Sequence, residues 1–197
     1  VTTTVDENAK VASNAGGLFG ADGQTSLPML RLTVGSALNS YSDEVVVVFQ
    51  DGTPTFGGGD VSKVVFSHPE APHMALRSAD GEDLAIDMYG AYSTDISIPV
   101  LVNAPVSGTY TVTAAELTNQ VGLSCFSLED LLTGVITPLP EGASSTFAIE
   151  AGADATQPRL LLHATAPVPF STTNATCANT PNGQATVEGV AGPVDIT

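Results

Sequence analysis

The fold of this chain is decided by the stretch Ser107–His163, which reads SGTYTVTAAELTNQVGLSCFSLEDLLTGVITPLPEGASSTFAIEAGADATQPRLLLH. Thr109–Thr113 alternates polar and apolar side chains, which is the pattern of a half-buried strand. Cys125–Gly134 predicts a strand that runs into a turn, and Pro140–Gly142 predicts a second turn. Arg159–His163 then predicts an apolar strand that closes the stretch. We interpret the whole stretch as one half of a β-sandwich.

The chain before this stretch supplies strands for the other half. Val45–Phe49 is a run of five β-branched or aromatic residues, which suits a central strand covered on both faces. Met74–Tyr89 predicts a hairpin around an Asp-Gly turn. Ile96–Val102 predicts a strand in which Pro99 requires an edge position or a bulge, because proline has no N–H. We therefore predict an all-β fold, a two-sheet antiparallel β-sandwich of jelly-roll-like type.

The composition favours β-structure and excludes two classes of partner. Charged residues make up only 13% of the 197 residues, about half the usual share of roughly 25%. Exposed helices need Glu and Lys, so this scarcity disfavours them. With 21 acids and 5 bases the formal net charge is −16. This disfavours nucleic acids and anionic membranes, which are bound through Lys and Arg.

Acidity has two explanations that the sequence leaves open. It keeps an exported protein soluble, or it supplies oxygen ligands for Ca²⁺. The chain has no run long and apolar enough to span a membrane and no signal peptide or initiator Met. We expect no membrane insertion, and we expect the chain to be a fragment of a longer protein.

Three regions are predicted along the chain. Residues 1–29 form a lead-in or an edge strand. Residues 30–165 form the β-sandwich domain. Residues 166–197 begin as an extended linker and contain one predicted hairpin, at Asn182-Gly183, which is too short for a core of its own.

The loop Gln50–Lys63 is the candidate metal site. Three consecutive glycines exclude a helix or a regular strand, and no GK[ST] follows, so the loop is not a phosphate loop. Asp51 and Asp60 bracket it. They are candidate Ca²⁺ ligands together with loop carbonyls, and a tight surface loop without metal is the other interpretation. No other cofactor is expected.

No constellation in the sequence indicates catalysis, so we expect the chain not to be an enzyme. Carboxylates serve acid–base chemistry when one of them is buried in a cleft with a shifted pKa. An acidic cluster on the predicted hairpin is expected to be solvated instead; it comprises Asp80, Glu82, Asp83 and Asp87. Glu129 and Asp130 are expected to hold a structural turn. Motifs of the G-x-S-x-G and H-E-x-x-H types are absent.

The two cysteines and a set of aromatic residues leave further alternatives open. Cys125 and Cys177 lack CxxC spacing, so they form a disulfide or remain two thiols. Phe56, Tyr89 and Tyr92, exposed together beside aspartates, would make a glycan-binding face on a jelly-roll-like sandwich. The absence of Trp and the 6% aromatic content count against this.

Several blocks of the chain resemble a module of large exported proteins of Bacteroidota. The blocks are the strand from Leu30, SGTYTVTAAEL, the Cys125-xxx-Glu129-Asp130-Leu131-xx-Gly134 block and PRLLLH at 158–163. The resemblance covers about residues 30–165. It implies a jelly-roll-like sandwich in a multidomain chain that is released or displayed through the gliding-linked (type IX) secretion route.

The tail carries a second resemblance. NATCANTPNGQATV, from Asn174 to Val187, is similar to the start of the SprB-type repeats of gliding adhesins, which implies a truncated following repeat that contains Cys177. In the loop before Lys63 the family often carries two acids; Asp60 matches one, and Phe56 stands in place of the other.

The resemblance implies a non-catalytic structural or adhesive module located outside the cell or on its surface. Its expected partners are neighbouring domains of the same chain and surface glycans or proteins. A carbohydrate-binding module, with or without Ca²⁺, is the alternative.

Overall fold

The structure, a computed structural model, describes residues 27–64, 68–119, 125–166, 170–173 and 184–187. Within these ranges every regular element is a β-strand and no helix occurs. The prediction of an all-β fold is confirmed. Residues 1–26 of the predicted lead-in at residues 1–29, the Asn182-Gly183 turn and Cys177 lie outside the described residues.

Thirteen strands are described, and we number them in chain order. They are β1 (Met29–Ser36), β2 (Ser42–Val48), β3 (Val61–Ser62), β4 (His73–Arg77), β5 (Asp83–Met88), β6 (Ile96–Asn103), β7 (Gly108–Thr118), β8 (Phe126–Asp130), β9 (Val135–Pro138), β10 (Ser144–Ile149), β11 (Leu160–Ala164), β12 (Phe170–Thr173) and β13 (Gln184–Val187).

Eleven of these strands belong to one sheet that is nearly closed into a barrel. The hydrogen-bonded order is β10-β7-β1-β2-β5-β4-β6-β11-β8-β9, with β3 added on β5. The two end strands approach each other, since Thr137 Oγ1 of β9 lies 3.2 Å from Ser145 Oγ of β10. β12 and β13 form a separate antiparallel pair.

The predicted two-sheet sandwich is not confirmed. A sandwich needs a break in hydrogen bonding between its two layers, whereas here one ladder path joins the ten strands from β10 to β9. The link that the sequence did not indicate is the parallel pairing of β2 with β5, from Val46↔Ile86 to Val48↔Met88. Every other strand pair in the sheet is antiparallel.

The core fills the inside of this curved sheet with alternate side chains of its strands. All five residues of Val45–Phe49 are at most 5% exposed, which confirms a strand covered on both faces. Tyr110 is fully buried and its hydroxyl donates to the carbonyl of Val106 at 2.8 Å. The largest fully buried aliphatic side chains are Leu30, Leu32, Met74, Leu76, Leu84, Ile98, Leu128, Leu139, Leu160 and Leu162.

Two predictions about individual strands meet different outcomes. The hairpin around Asp80-Gly81 is confirmed: β4 and β5 pair at Leu76↔Leu84 and Arg77↔Asp83, and Gly81 has a φ of 94°. β6 is an inner strand rather than an edge, since it pairs with both β4 and β11. Pro99 is tolerated there because the pairing with β4 covers only the residues from Val100 onward.

Candidate functional site

The glycine-rich loop Gln50–Lys63 lies tightly against the end of β5. At Gly52 a Cβ atom would lie 1.4 Å from the carbonyl oxygen of Met88. At Gly90, which has a φ of 88°, a Cβ would lie 2.3 Å from the carbonyl oxygen of Gly52. The two backbones therefore approach each other more closely than any side chain permits. This contact fixes where the loop begins.

Asp60 fastens the far end of the loop. Its Oδ2 accepts a hydrogen bond from the Gly57 N–H at 2.7 Å, and its Oδ1 accepts one from the Met88 N–H at 2.7 Å. Asp51, the other candidate Ca²⁺ ligand, is exposed, has a φ of 55° and accepts from Gln50 Nε2 at 3.2 Å. The structure thus gives Asp60 an anchoring role, and the Ca²⁺ site stays a prediction.

Asp87 is the unusual acid of this region. It is 1% exposed, and neither carboxylate oxygen has a hydrogen-bond partner. It pairs with Val47, which belongs to the core, and paired residues point to the same face of a sheet. Burial, aided by the negative charge of Asp60, raises the pKa of Asp87 to about 7.

The expectation that the hairpin acids are all solvated is therefore wrong for Asp87. The other three acids, Asp80, Glu82 and Asp83, are exposed at the hairpin. The sequence held a signal for the difference, because Asp87 lies inside the alternating strand while the others flank the turn. Its burial follows from the parallel pairing with β2, which the sequence did not indicate.

The three candidate glycan-binding aromatics do not share an exposed face. Phe56 is 45% exposed. Tyr89 and Tyr92 are half-buried and pack against the core, and the ring of Tyr92 stands edge-on to Phe49 with centroids 5.3 Å apart. Burial, with a contribution from Asp87, raises the pKa of Tyr89. Only Phe56 thus presents its ring to a ligand.

A hydroxyl, an imidazole and a carboxylate lie in a row across three neighbouring strands. Ser97 Oγ of β6 is 2.8 Å from His163 Nδ1 of β11, and His163 Nε2 is 2.8 Å from Glu129 Oε2 of β8. This is the residue order of a hydrolytic triad, but such a triad acts together with donors aimed at an oxyanion in an enclosed site. Here Ser97 is exposed on a sheet surface, so we interpret the row as a polar ladder across the strands.

This row was not predicted from the sequence because its three residues are far apart in the chain. His163 is 66 residues from Ser97 and 34 from Glu129. Only the register of β6, β11 and β8 brings them together: Ser97 pairs with His163, and Glu129 lies on β8 beside β11. No local motif of the sequence signals this arrangement.

A cleft at the end of the barrel where β8 turns into β9 has a volume of about 430 Å³. We call it the end cleft. Its apolar walls include Leu131, Leu132, Ile149 and Pro158, and its acidic rim is Glu150 and Asp154. One signal for this cleft is present in the sequence: the two leucines directly before the Thr-Gly turn.

The floor of the end cleft is held by an ion pair. Arg159 Nη2 donates to Asp130 Oδ2 at 2.8 Å, and the Arg159 guanidinium lies 5.4 Å from the centroid of the Phe147 ring. Burial opposes ionisation of Asp130, yet hydrogen bonds from Arg159 and from the Leu132 N–H lower its pKa overall. Asp130 thus holds the turn, as the sequence pattern indicated, whereas Glu129, for which the same role was expected, bonds to His163 instead.

Comparison of the chain with protein-family models, curated proteins and solved structures gave no match. The described ranges contain no group of three or more His, Cys, Asp or Glu side chains placed to hold a metal ion. They also contain no helix of the length and apolarity that crossing a membrane requires.

Proposed function

We propose that residues 30–165 are a non-catalytic structural or adhesive module of a large exported bacterial surface protein, located outside the cell or on its surface. The observation that carries the proposal is the use of carboxylates as ties between distant segments. The resemblance of the SGTYTVTAAEL, Cys125–Gly134 and PRLLLH blocks to Bacteroidota secretion modules supplies the cellular context. On that resemblance the chain continues into an adhesin-type repeat, so neighbouring domains are its first partners.

The ties link segments 20 to 31 residues apart. Asp43 Oδ2 accepts from the Met74 N–H at 2.8 Å, and its Oδ1 accepts from Lys63 Nζ at 2.6 Å. Asp80 Oδ1 accepts from the Phe56 N–H at 2.9 Å. Asp60 and Asp130 make the ties described above.

Hydrogen bonds to an ionised carboxylate are shorter and stronger than those between neutral groups. Such ties stabilise the loops and strand ends of the described barrel. A carboxylate that already accepts two hydrogen bonds from the fold is also poorly suited to proton transfer. The arrangement therefore favours a structural or adhesive module over an enzyme.

Cell-surface location is tested by labelling intact producing cells with antibodies against residues 27–166. We expect labelling without permeabilisation, and loss of the signal after brief protease treatment of whole cells. Labelling that appears only after lysis would remove the surface proposal.

A second candidate function is glycan binding, and the exposed ring of Phe56 favours it. The Phe56 N–H donates to Asp80 Oδ1, so the residue that carries the exposed ring is next to a carboxylate. A carboxylate can accept hydrogen bonds from sugar hydroxyls. A glycan array with and without Ca²⁺ tests it, with Phe56→Ala as the loss-of-binding variant. Absence of binding in both conditions removes the candidate.

Calcium binding is tested separately by titration calorimetry. If Asp51 and Asp60 are ligands, Ca²⁺ gives a heat signal that Asp51→Asn reduces. Since Asp51 makes only an exposed contact with Gln50, this variant leaves the fold intact. A titration to millimolar Ca²⁺ that gives no heat signal would rule out Asp51 and Asp60 as Ca²⁺ ligands.

A further inference from the structure

The turn after β8 exposes an unusual amount of apolar surface. Within six consecutive residues, Leu131 is 44% exposed, Leu132 76%, Val135 57% and Ile136 59%. Leu131 and Leu132 are adjacent and line one cleft, whereas Val135 and Ile136 belong to β9, where successive side chains point to opposite faces of the sheet. Contiguous exposed apolar surface such as that of the two leucines marks interaction sites on soluble proteins. Scattered single residues would need no explanation, but the two leucines stand side by side in one turn.

This turn is held in place by three hydrogen bonds to Asp130. Its carbonyl accepts from the Gly134 N–H at 2.7 Å and from the Thr133 N–H at 3.2 Å, and its Oδ1 accepts from the Leu132 N–H at 3.0 Å. Gly134 adopts a φ of 70°, which a residue with a side chain would resist. Because the turn is ordered in advance, this chain loses little conformational entropy when a partner covers Leu132.

The end cleft continues the apolar surface of the turn. Leu131 and Leu132 line it together with Ile149 and Pro158, and its volume of about 430 Å³ accommodates a large side chain. Interfaces commonly bury an anchoring residue in a pocket of this kind, with exposed apolar side chains such as Leu132 beside it.

The charge of the end cleft is negative. Arg159 is neutralised by Asp130 at 2.8 Å, so Glu150 and Asp154 set the sign at the rim. Hydrogen bonds from the Thr156 hydroxyl and N–H lower the pKa of Asp154, which keeps it ionised. A second copy of the chain, which itself carries a formal net charge of −16, would place a second acidic rim against the first, and this disfavours self-association.

We propose that the end cleft and the exposed turn bind a segment of a partner protein that carries Lys or Arg beside a large apolar side chain. The apolar side chain enters the cleft next to Leu132. The basic groups lie against Glu150 and Asp154. This proposal rests on the proposed role as an adhesive module, and it adds the binding surface and the chemistry of the partner.

Fluorescence anisotropy with three labelled synthetic peptides of equal length tests the proposal. One peptide combines lysines with leucines, one lysines with serines, and one glutamates with leucines. We expect only the lysine–leucine peptide to bind. Leu132→Ser should weaken its binding about tenfold, the loss typical of a central anchor contact, while Val61→Ser, which removes an exposed side chain outside the cleft, should leave it unchanged.

Two double variants with equal net charge distinguish an effect of the rim carboxylates on binding from an effect of the overall charge. Glu150→Gln with Asp154→Asn should weaken binding several-fold and reduce its dependence on salt. Glu70→Gln with Glu141→Gln, two exposed acids outside the cleft, should not.

Four outcomes would overturn the proposal. They are equal binding of the lysine–serine peptide, equal effects of the two double variants, no binding of any peptide, and a dimer in sedimentation that Leu132→Ser dissolves. These binding measurements do not depend on where the protein is located. Failure here is therefore distinguishable from failure of the cell-surface labelling.

Discussion

Asp87 is in an environment that acids rarely occupy. A carboxylate that is buried without a partner is costly in its charged form, so it takes up a proton instead. The neighbouring charge of Asp60 adds to this effect. Two backbone N–H groups hold Asp60 in place. Its negative charge therefore stays near Asp87 and favours the protonated form of that residue.

Asp87 therefore makes folding pH-dependent. Its pKa is about 7 in the folded chain against an ordinary 3.8, so between these values only the folded state holds the proton. The free energy of unfolding should fall as pH rises from 4 to 7, by roughly 3 kcal/mol, and then level off. Asp87→Asn mimics the protonated form, so its stability advantage over the parent chain should grow across this range in urea denaturation.

The exposed acid Glu82 on the same hairpin supplies the control. Glu82→Gln should show the same pH dependence as the parent chain. A constant difference between Asp87→Asn and the parent from pH 4 to 8 would show that Asp87 is ionised in the fold throughout.

Asp60 is predicted to matter for stability through its two backbone contacts. Asp60→Ala leaves the N–H groups of Gly57 and Met88 without their acceptor, which should cost about 2–3 kcal/mol in chemical denaturation. Asp60→Asn keeps one acceptor oxygen and should cost less. Asp51→Gly, which removes an acid from the same loop at a φ that glycine tolerates, should be nearly neutral; a loss as large as that of Asp60→Ala would contradict the anchoring role.

At the scale of elements, β5 is the strand on which the loop, the hairpin and the parallel pairing meet. It pairs with β2, β3 and β4, and the loop after β2 crosses its end at Gly52. The sequence indicated a loop here from its glycines. It did not indicate which glycine is required, since that depends on which backbone lies opposite.

Gly52 and Gly58 give a matched pair of substitutions in this loop. Gly52→Ala would place a Cβ 1.4 Å from the carbonyl oxygen of Met88, so the loop must move away from β5, at a cost of about 3 kcal/mol. A Cβ on Gly58 meets no atom within 4 Å, so Gly58→Ala should change stability by less than about 0.5 kcal/mol. Equal unfolding midpoints for the two variants would show that the loop does not lie against β5.

At the scale of the whole molecule, the barrel has a weak seam between its two end strands. β9 and β10 each have one hydrogen-bonded neighbour strand, and the contact between them is made by the Thr137 and Ser145 side chains. The middle of the sheet is different, since β1 pairs along its length with both β2 and β7. Opening of the barrel should therefore begin at β9 and β10.

Amide hydrogen exchange tests this order of stability. We expect the slowest exchange in Leu30–Val34 and Val45–Val48, and exchange at least tenfold faster in Val135–Thr137, because edge strands with exposed side chains open locally at low cost. Uniform protection across these strands would mean that the seam is as stable as the centre of the sheet.

The sequence by itself determined the β-class of the fold, the buried run Val45–Phe49 and the Asp80-Gly81 hairpin. These features depend on side-chain alternation and turn preferences, which act between residues close in the chain. Phe56, Tyr89 and Tyr92 could be named as aromatic candidates, but not which of them would be exposed.

Only the tertiary structure decided the single curved sheet in place of two layers, the burial of Asp87, the Ser97–His163–Glu129 row and the end cleft. Each depends on which strands become neighbours and in which register. A shift of one residue between two strands sends a side chain to the opposite face, so residues far apart in the chain gain their environment from pairing that no local pattern encodes.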